Sequence, residues 1–203
     1  MVVLFGTCLI LTFSRGGWLG YIMALVFMVY LSKDYRFLLP SVILVITFFC
    51  FTALSNRMLF IFEAGGDARR FSYWHAACLM IKENPFLGKG LGTFMDYFPR
   101  YKSLNTSYAH NCFLQIWAES GIFSILSFLS FLILLFRNSI KSFYNNRDYV
   151  ILGFLGGAFG FLSHAFFENH LYSLQLSVLF WLWIAILSAG TVLNKESSSE
   201  DRG

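Results

Sequence analysis

The chain has 203 residues, 57% of them hydrophobic and only 13% charged, with a mean hydropathy of +0.63 and a formal net charge of +4. Soluble domains carry about a quarter charged residues, so this set cannot cover a water-exposed surface. So small a charge, with no basic stripe, also excludes nucleic acid as a partner. The composition fits an all-α, polytopic membrane bundle in one domain over 1–203, with membrane lipids and an anionic substrate as partners.

Residues 2–13 are a short apolar run that reads as the end of a helix. Met1-Val2-Val3-Leu4 has neither the basic region nor the cleavage site of a signal peptide, and the expectation is a fragment or a late start. Residues 18–31 are apolar but short for a span, which needs about 17–25 residues; Gly16-Gly17 extends them. Residues 37–55, 149–167 and 171–193 span outright, and 113–136 spans if Gln115 and Glu119 face protein or water. That makes about six membrane segments.

Alternation places Lys33, Arg36, Arg137, Lys141 and Arg147 inside, and the polar loop 56–111 outside. The short connectors follow the positive-inside rule. The loop does not, with Arg57, Arg69, Arg70, Lys82, Lys89, Arg100 and Lys102 against few acids, but long loops translocate despite such charge. Cys8 and Cys50 read as small buried hydrophobes; Cys78 and Cys112 stay free or pair if the loop faces an oxidising compartment.

Within the loop, 68–83 is expected to be an amphipathic helix with Phe71, Trp74, Cys78 and Ile81 on one stripe. Asn84-Pro85 ends it, and Tyr73 and Trp74 are expected to anchor it at the membrane interface. Gly88, Gly90 and Gly92 are expected to make a flexible turn, and 97–108 is irregular.

Four constellations invite chemistry. Arg15, between Ser14 and Gly16-Gly17, is either a snorkelling interfacial residue or a guanidinium fork for a phosphate or carboxylate. Arg69-Arg70 opens the loop helix, where a cation opposes the helix dipole unless an anion is near. Asn111, Gln115 and Glu119 fall on one helix face beside His110, a polar stripe that is costly in a membrane unless it lines a wet cavity. There His110 is either a structural histidine or a general base. His164 with Glu168 and His170 reads as an interfacial cluster or, less well supported, a metal site. Gly88-Lys89-Gly90 lacks the preceding glycine and following Ser/Thr of a phosphate loop. Gly153, Gly156, Gly157 and Gly160 contain small-xxx-small pairs and read as helix packing.

Three blocks then occur in order. Ser14-Arg15-Gly16-Gly17 resembles a motif that opens a membrane helix. Arg70 with Trp74, then Pro85-Phe86-Leu87-Gly88-Lys89-Gly90, resembles R-x3-W followed by P-x-x-G-x-G. His110-Asn111 with Leu114, then Glu119-Ser120-Gly121, resembles HN-x-x-L followed by E-x-G. Together they resemble the O-antigen ligase/polymerase superfamily of envelope glycosyltransferases, whose members have about a dozen spans. The resemblance implies transfer of a glycan from an undecaprenyl-diphosphate carrier to an acceptor, without metal or other cofactor, at the outer face of the bacterial inner membrane. It implies that Arg15 and Arg70 hold the diphosphate, that His110 serves the acceptor hydroxyl, and that Arg69, Asn111 and Glu119 support them. A transporter would place ionisable residues along several helix interiors, whereas here they gather at one end. An inactive fragment or accessory membrane subunit is the other reading.

Overall fold

The computed structural model describes residues 8–9, 11–12, 14–39, 42, 46, 65–100, 106 and 108–200; for 15, 65–69 and 196–200 it describes the backbone alone. Most of the expected segments 37–55 and 2–13 therefore lies outside the described residues, as does Cys50. Among the described residues the chain is all-helical, with no strand. Its helices are α1 (Arg15–Ser32), α2 (Gly65–Glu83), α3 (Phe94–Tyr97), α4 (Cys112–Asn146), α5 (Tyr149–His164) and α6 (Leu174–Glu200). The helices α4 and α6 are long and apolar enough to cross a membrane; α1 and α5 are shorter apolar helices.

Local chemistry sets the boundaries. Ser14 caps α1 by accepting a hydrogen bond from Gly17 N at 3.1 Å, Asn111 caps α4 through Leu114 N at 3.0 Å, and Asp148 caps α5 through Val150 N at 2.8 Å. Lys33 and Arg147 end α1 and α4 in left-handed conformations, and each closes the last turn with its own N–H.

The helices α1 and α5 run antiparallel along a seam of small residues. A Cβ on Gly20 would meet the Gly160 carbonyl oxygen at 2.8 Å, and one on Gly160 would meet that of Gly20 at 2.6 Å. The two backbones touch, as the small-xxx-small spacing in 153–160 predicts. Gly156 faces Met28 and Gly157 faces Trp183, so the same glycines seat α1 on one side and α6 on the other. Leu132, Leu135, Leu152, Leu155, Phe180 and Leu187 close the core between these helices.

The antiparallel seam fixes which residues share an end. Asp148, between α4 and α5, accepts a hydrogen bond from Asn194 Nδ2 at 3.0 Å, and Phe37 lies 6.1 Å from Tyr149. The basic connectors thus collect at one end of the bundle. Ser14, α2, the residues that follow it and the α5–α6 connector collect at the other.

The polar-loop helix differs from expectation in its buried face. Ala76, Ala77, Met80 and Ile81 are buried against Phe94, Phe98 and Ala118, while Phe71 and Cys78 are exposed. The alanines decide the face because they let α2 approach the first turns of α4 closely, and a reading keyed to large apolar residues overlooks them. Cys8 is exposed rather than buried, and Cys78 and Cys112 are both free thiols, the latter buried.

Candidate functional site

Glu168, in the connector between α5 and α6, joins two residues from distant parts of the chain. Arg70 Nη2 donates to its Oε1 at 2.8 Å, and His110 Nδ1 lies 3.0 Å from its Oε2. An ionised carboxylate only accepts, so Nδ1 of His110 carries a proton, and in the neutral form of the ring that leaves Nε2 as an acceptor. The hydrogen bond from His110, and then the charges of His110 and Arg70, hold the Glu168 carboxyl below the usual glutamate range against the opposing effect of burial. All three side chains are about one-third exposed, so the cluster is open to a ligand.

The loop helix aims the histidine. Tyr73 stacks on the His110 ring at 5.4 Å and 26°, and Trp74 Nε1 donates to the His110 carbonyl at 3.3 Å. Tyr73 and Trp74, the expected interfacial anchors of the helix, both hold His110. The histidine itself adopts φ 50°, a left-handed conformation that costs a non-glycine residue about 1–2 kcal/mol. It persists because Trp74, Tyr73, Glu168 and the Asn111 cap all constrain it.

The polar stripe of α4 is not a wet cavity. Gln115 and Glu119 are both buried, and their polar atoms are taken by backbone N–H groups and by side chains of the protein. Gln115 Oε1 accepts from Ala109 N at 2.9 Å and from Asn169 Nδ2, while its Nε2 donates to Glu119 Oε1 at 3.1 Å. Glu119 accepts from Gly92 N at 3.0 Å and Phe94 N at 3.1 Å. The Tyr172 hydroxyl is a further hydrogen-bond partner of Glu119. Asn111, Gln115 and Glu119 therefore pin three segments together around the cluster.

The glycine turn is fixed by the same stripe. Helix α4 breaks at Gly121 (φ 79°, ψ 179°), and the turn docks into the break: Ile122 N donates to Pro85 O at 2.9 Å, Lys89 N to Ala118 O at 3.0 Å and Gly90 N to Glu119 O at 2.8 Å. Gly88 and Gly121 both have positive φ, and a Cβ on either would run into the backbone of the other segment. The P-x-x-G-x-G and E-x-G blocks are two halves of one joint.

Of the residues singled out from sequence, the structure brings Arg70 and His110 together through Glu168. Arg15 opens α1 at the same end: its neighbour Gly16 packs directly on the His164 ring, which meets His170 edge-on at 4.2 Å. The Arg15 and Arg69 side chains lie outside the described atoms. Sequence reasoning placed Glu168 with His164 at helical spacing, but α5 stops at His164 and the turn that follows swings Glu168 to Arg70 and His110 instead. Its spacing with His164 was the only local signal; the two side chains do interact electrostatically, but the hydrogen-bonded partners of Glu168 are Arg70 and His110.

Residues 1–129, well over half of the chain, match the family described as O-antigen ligase. No curated protein and no solved structure matches the chain. All three sequence blocks fall within the matched residues, and Glu168 falls beyond them.

Proposed function

We propose, from the premise that the chain belongs to the O-antigen ligase family, that it transfers a glycan from an undecaprenyl-diphosphate carrier to a hydroxyl of an acceptor: lipid A core, a growing glycan or a protein. The family is membrane-embedded and its chemistry is glycan transfer. The finer reading places the chain as a single domain, 1–203, with about six spans in the inner membrane, and the loop 56–111 on the outer face. The gathering of basic connectors at the end of the bundle opposite Arg70 and His110 supports that orientation.

The observation that carries the mechanism is the shared carboxylate of Glu168. It holds a guanidinium and an imidazole side by side, one suited to a phosphate and the other to a hydroxyl. In this reading the acceptor hydroxyl attacks the anomeric carbon of the carrier-linked sugar. The bond from that carbon to the diphosphate oxygen breaks, and the hydroxyl proton passes to His110 Nε2. The diphosphate leaves with the electron pair, and its developing charge is met by Arg70 and Arg15, whose planar forks match phosphate oxygens. Glu168 keeps His110 Nδ1 protonated, so that Nε2 is the base. Arg69 adds positive charge at the start of α2, and Asn111 and Glu119 keep the loop in place. The step uses no metal ion.

The test is glycan transfer in membranes carrying the full chain. Arg70→Lys is expected to lose transfer, because a single ammonium cannot replace the fork, while Arg100→Lys keeps it. His110→Ala is expected to lose about 10²–10⁴-fold in rate with carrier binding nearly unchanged. Full activity in Arg70→Lys, or loss of activity on metal chelation with His110→Ala unaffected, would overturn the reading.

A further inference from the structure

The glycine turn carries a feature that transfer chemistry does not use. Leu87 and Leu91 are 82% and 81% exposed, and Phe86 and Met95 beside them are also exposed. Exposed leucines clustered on one fixed turn mark a surface that meets something apolar. The intervening Lys89 is turned away: its Nζ pairs with Glu83 at 2.6 Å, lies 5.0 Å from the Tyr97 ring, and leaves the side chain only 12% exposed. The tip of the turn is therefore apolar although its sequence contains a cation.

Two observations identify the occupant. The patch continues the exposed apolar face of a candidate membrane span: Phe86 lies 6.4 Å from Phe123, which starts the exposed run of Leu126, Phe131, Ile133 and Leu134 along α4. The turn is also docked at Gly121, nine residues beyond the start of α4 at Cys112, or about 13 Å along the helix. It thus sits beyond His110 along α4, level with the onset of the apolar face.

The second observation is the backbone. Irregular chain enters a bilayer only where its polar groups are satisfied within the protein. The N–H groups of Gly88, Lys89, Gly90, Gly92, Thr93 and Phe94 donate respectively to Asn84 O, Ala118 O, Glu119 O, Glu119 Oε2, Gly90 O and Glu119 Oε1. Six of the turn's N–H groups are thus satisfied within the protein. We infer that the turn 86–95 is a membrane-dipping wedge: Phe86, Leu87, Leu91 and Met95 insert at the boundary between headgroups and acyl chains of the bilayer leaflet on the side of the Arg70–Glu168–His110 cluster. The inference rests on α4 being a membrane span, and the experiment separates the two claims.

An environment-sensitive fluorophore is attached at Leu87→Cys or, separately, at Leu91→Cys, in a full chain whose native cysteines are replaced by serine. The protein is reconstituted in nanodiscs of phosphatidylcholine and phosphatidylglycerol carrying nitroxide either at the headgroup or at mid-chain. Both positions are expected to lose most of their emission to the headgroup-level nitroxide and little to aqueous cobalt ions. Ile133→Cys on α4 serves as the span control, expected to be quenched by the mid-chain nitroxide. Cobalt quenching at Leu87→Cys and Leu91→Cys while Ile133→Cys remains lipid-quenched would overturn the wedge and leave the span standing. Loss of lipid quenching at Ile133→Cys would overturn the span itself. Protection of both turn positions from lipid and water alike, with cross-linking between copies through Leu91→Cys, would assign the patch to a second copy and also overturn the wedge.

Discussion

Arg70 Nη2 and Glu168 Oε1 lie 2.8 Å apart although 98 residues separate them in the chain, and the other oxygen of that carboxylate meets His110. One carboxylate thereby sets the charge beside the guanidinium and the tautomer of the imidazole. Replacing it is expected to affect both at once.

Glu168→Gln keeps the shape but removes the charge and the obligatory acceptor. The amide can turn its NH₂ to His110 and free Nδ1 from its proton, which puts the proton on Nε2 and removes the base. Loss of a partner that orients an active group costs about tenfold to hundredfold, and that is the expected fall in the rate of glycan transfer. Glu168→Asp is expected to fall between, its shorter arm unable to reach both neighbours. Unchanged transfer in both variants, at equal protein level, would show that the bridge is dispensable.

The same bridge forecasts a pH dependence. The Glu168 pKa is lowered, chiefly by the hydrogen bond from His110, so its contribution to stability is fully present above the ordinary glutamate value of 4.5 and is lost as pH falls through the lower folded value. Thermal unfolding in detergent is expected to be insensitive to Glu168→Gln in slope near neutrality. Below the ordinary glutamate range, the wild type is expected to lose stability more steeply than the variant. Parallel curves at acid pH would remove the bridge from the folded state.

Much of this arrangement is legible in the residues, and the part that is not has a physical cause. The apolar runs at 18–31, 113–136, 149–167 and 171–193 become α1, α4, α5 and α6, because helical hydrophobicity is a local property. The packing of α5 follows from glycine spacing for the same reason. The face of α2 is not legible, since Ala76 and Ala77 carry almost no hydrophobic signal and are chosen by how close α4 must come. Nor is Glu168, whose spacing with His164 counts only if the helix continues; the turn after His164 sends it to partners 58 and 98 residues earlier. Contacts that cross the chain leave no periodicity to read.

The joint between the glycine turn and α4 is expected to be intolerant of side chains. Gly121 adopts φ 79° and ψ 179°, a region almost confined to glycine, where another residue costs about 1–3 kcal/mol before any clash. A Cβ there also collides with the Phe86 carbonyl. Gly121→Ala is therefore expected to lower the unfolding temperature and to release the turn, with Lys89 and Gly90 amides exchanging faster. Gly153→Ala, on α5 with nothing within 4 Å of the new methyl, is expected to be neutral or to stabilise by about 0.5–1 kcal/mol. Equal stability of the two variants would mean that the turn is not held at Gly121.

Orientation can be read with a native thiol. Cys78 is exposed on α2, and Asn146 is exposed at the end of α4, at the opposite end of the bundle. If the cluster faces outward, a chain keeping Cys78 as its single cysteine reacts with a membrane-impermeant maleimide in intact spheroplasts. A chain whose single cysteine is introduced by Asn146→Cys reacts only after permeabilisation. The basic residues 33, 36 and 147 near the Asn146 end argue for that outcome, because cytoplasmic connectors collect Lys and Arg. The reverse pattern, with Cys78 protected until the membrane is opened, would place Arg70, Glu168 and His110 on the cytoplasmic side. A carrier-linked glycan displayed on the outer face could not then reach them, and the transfer reaction proposed here would fail with the topology.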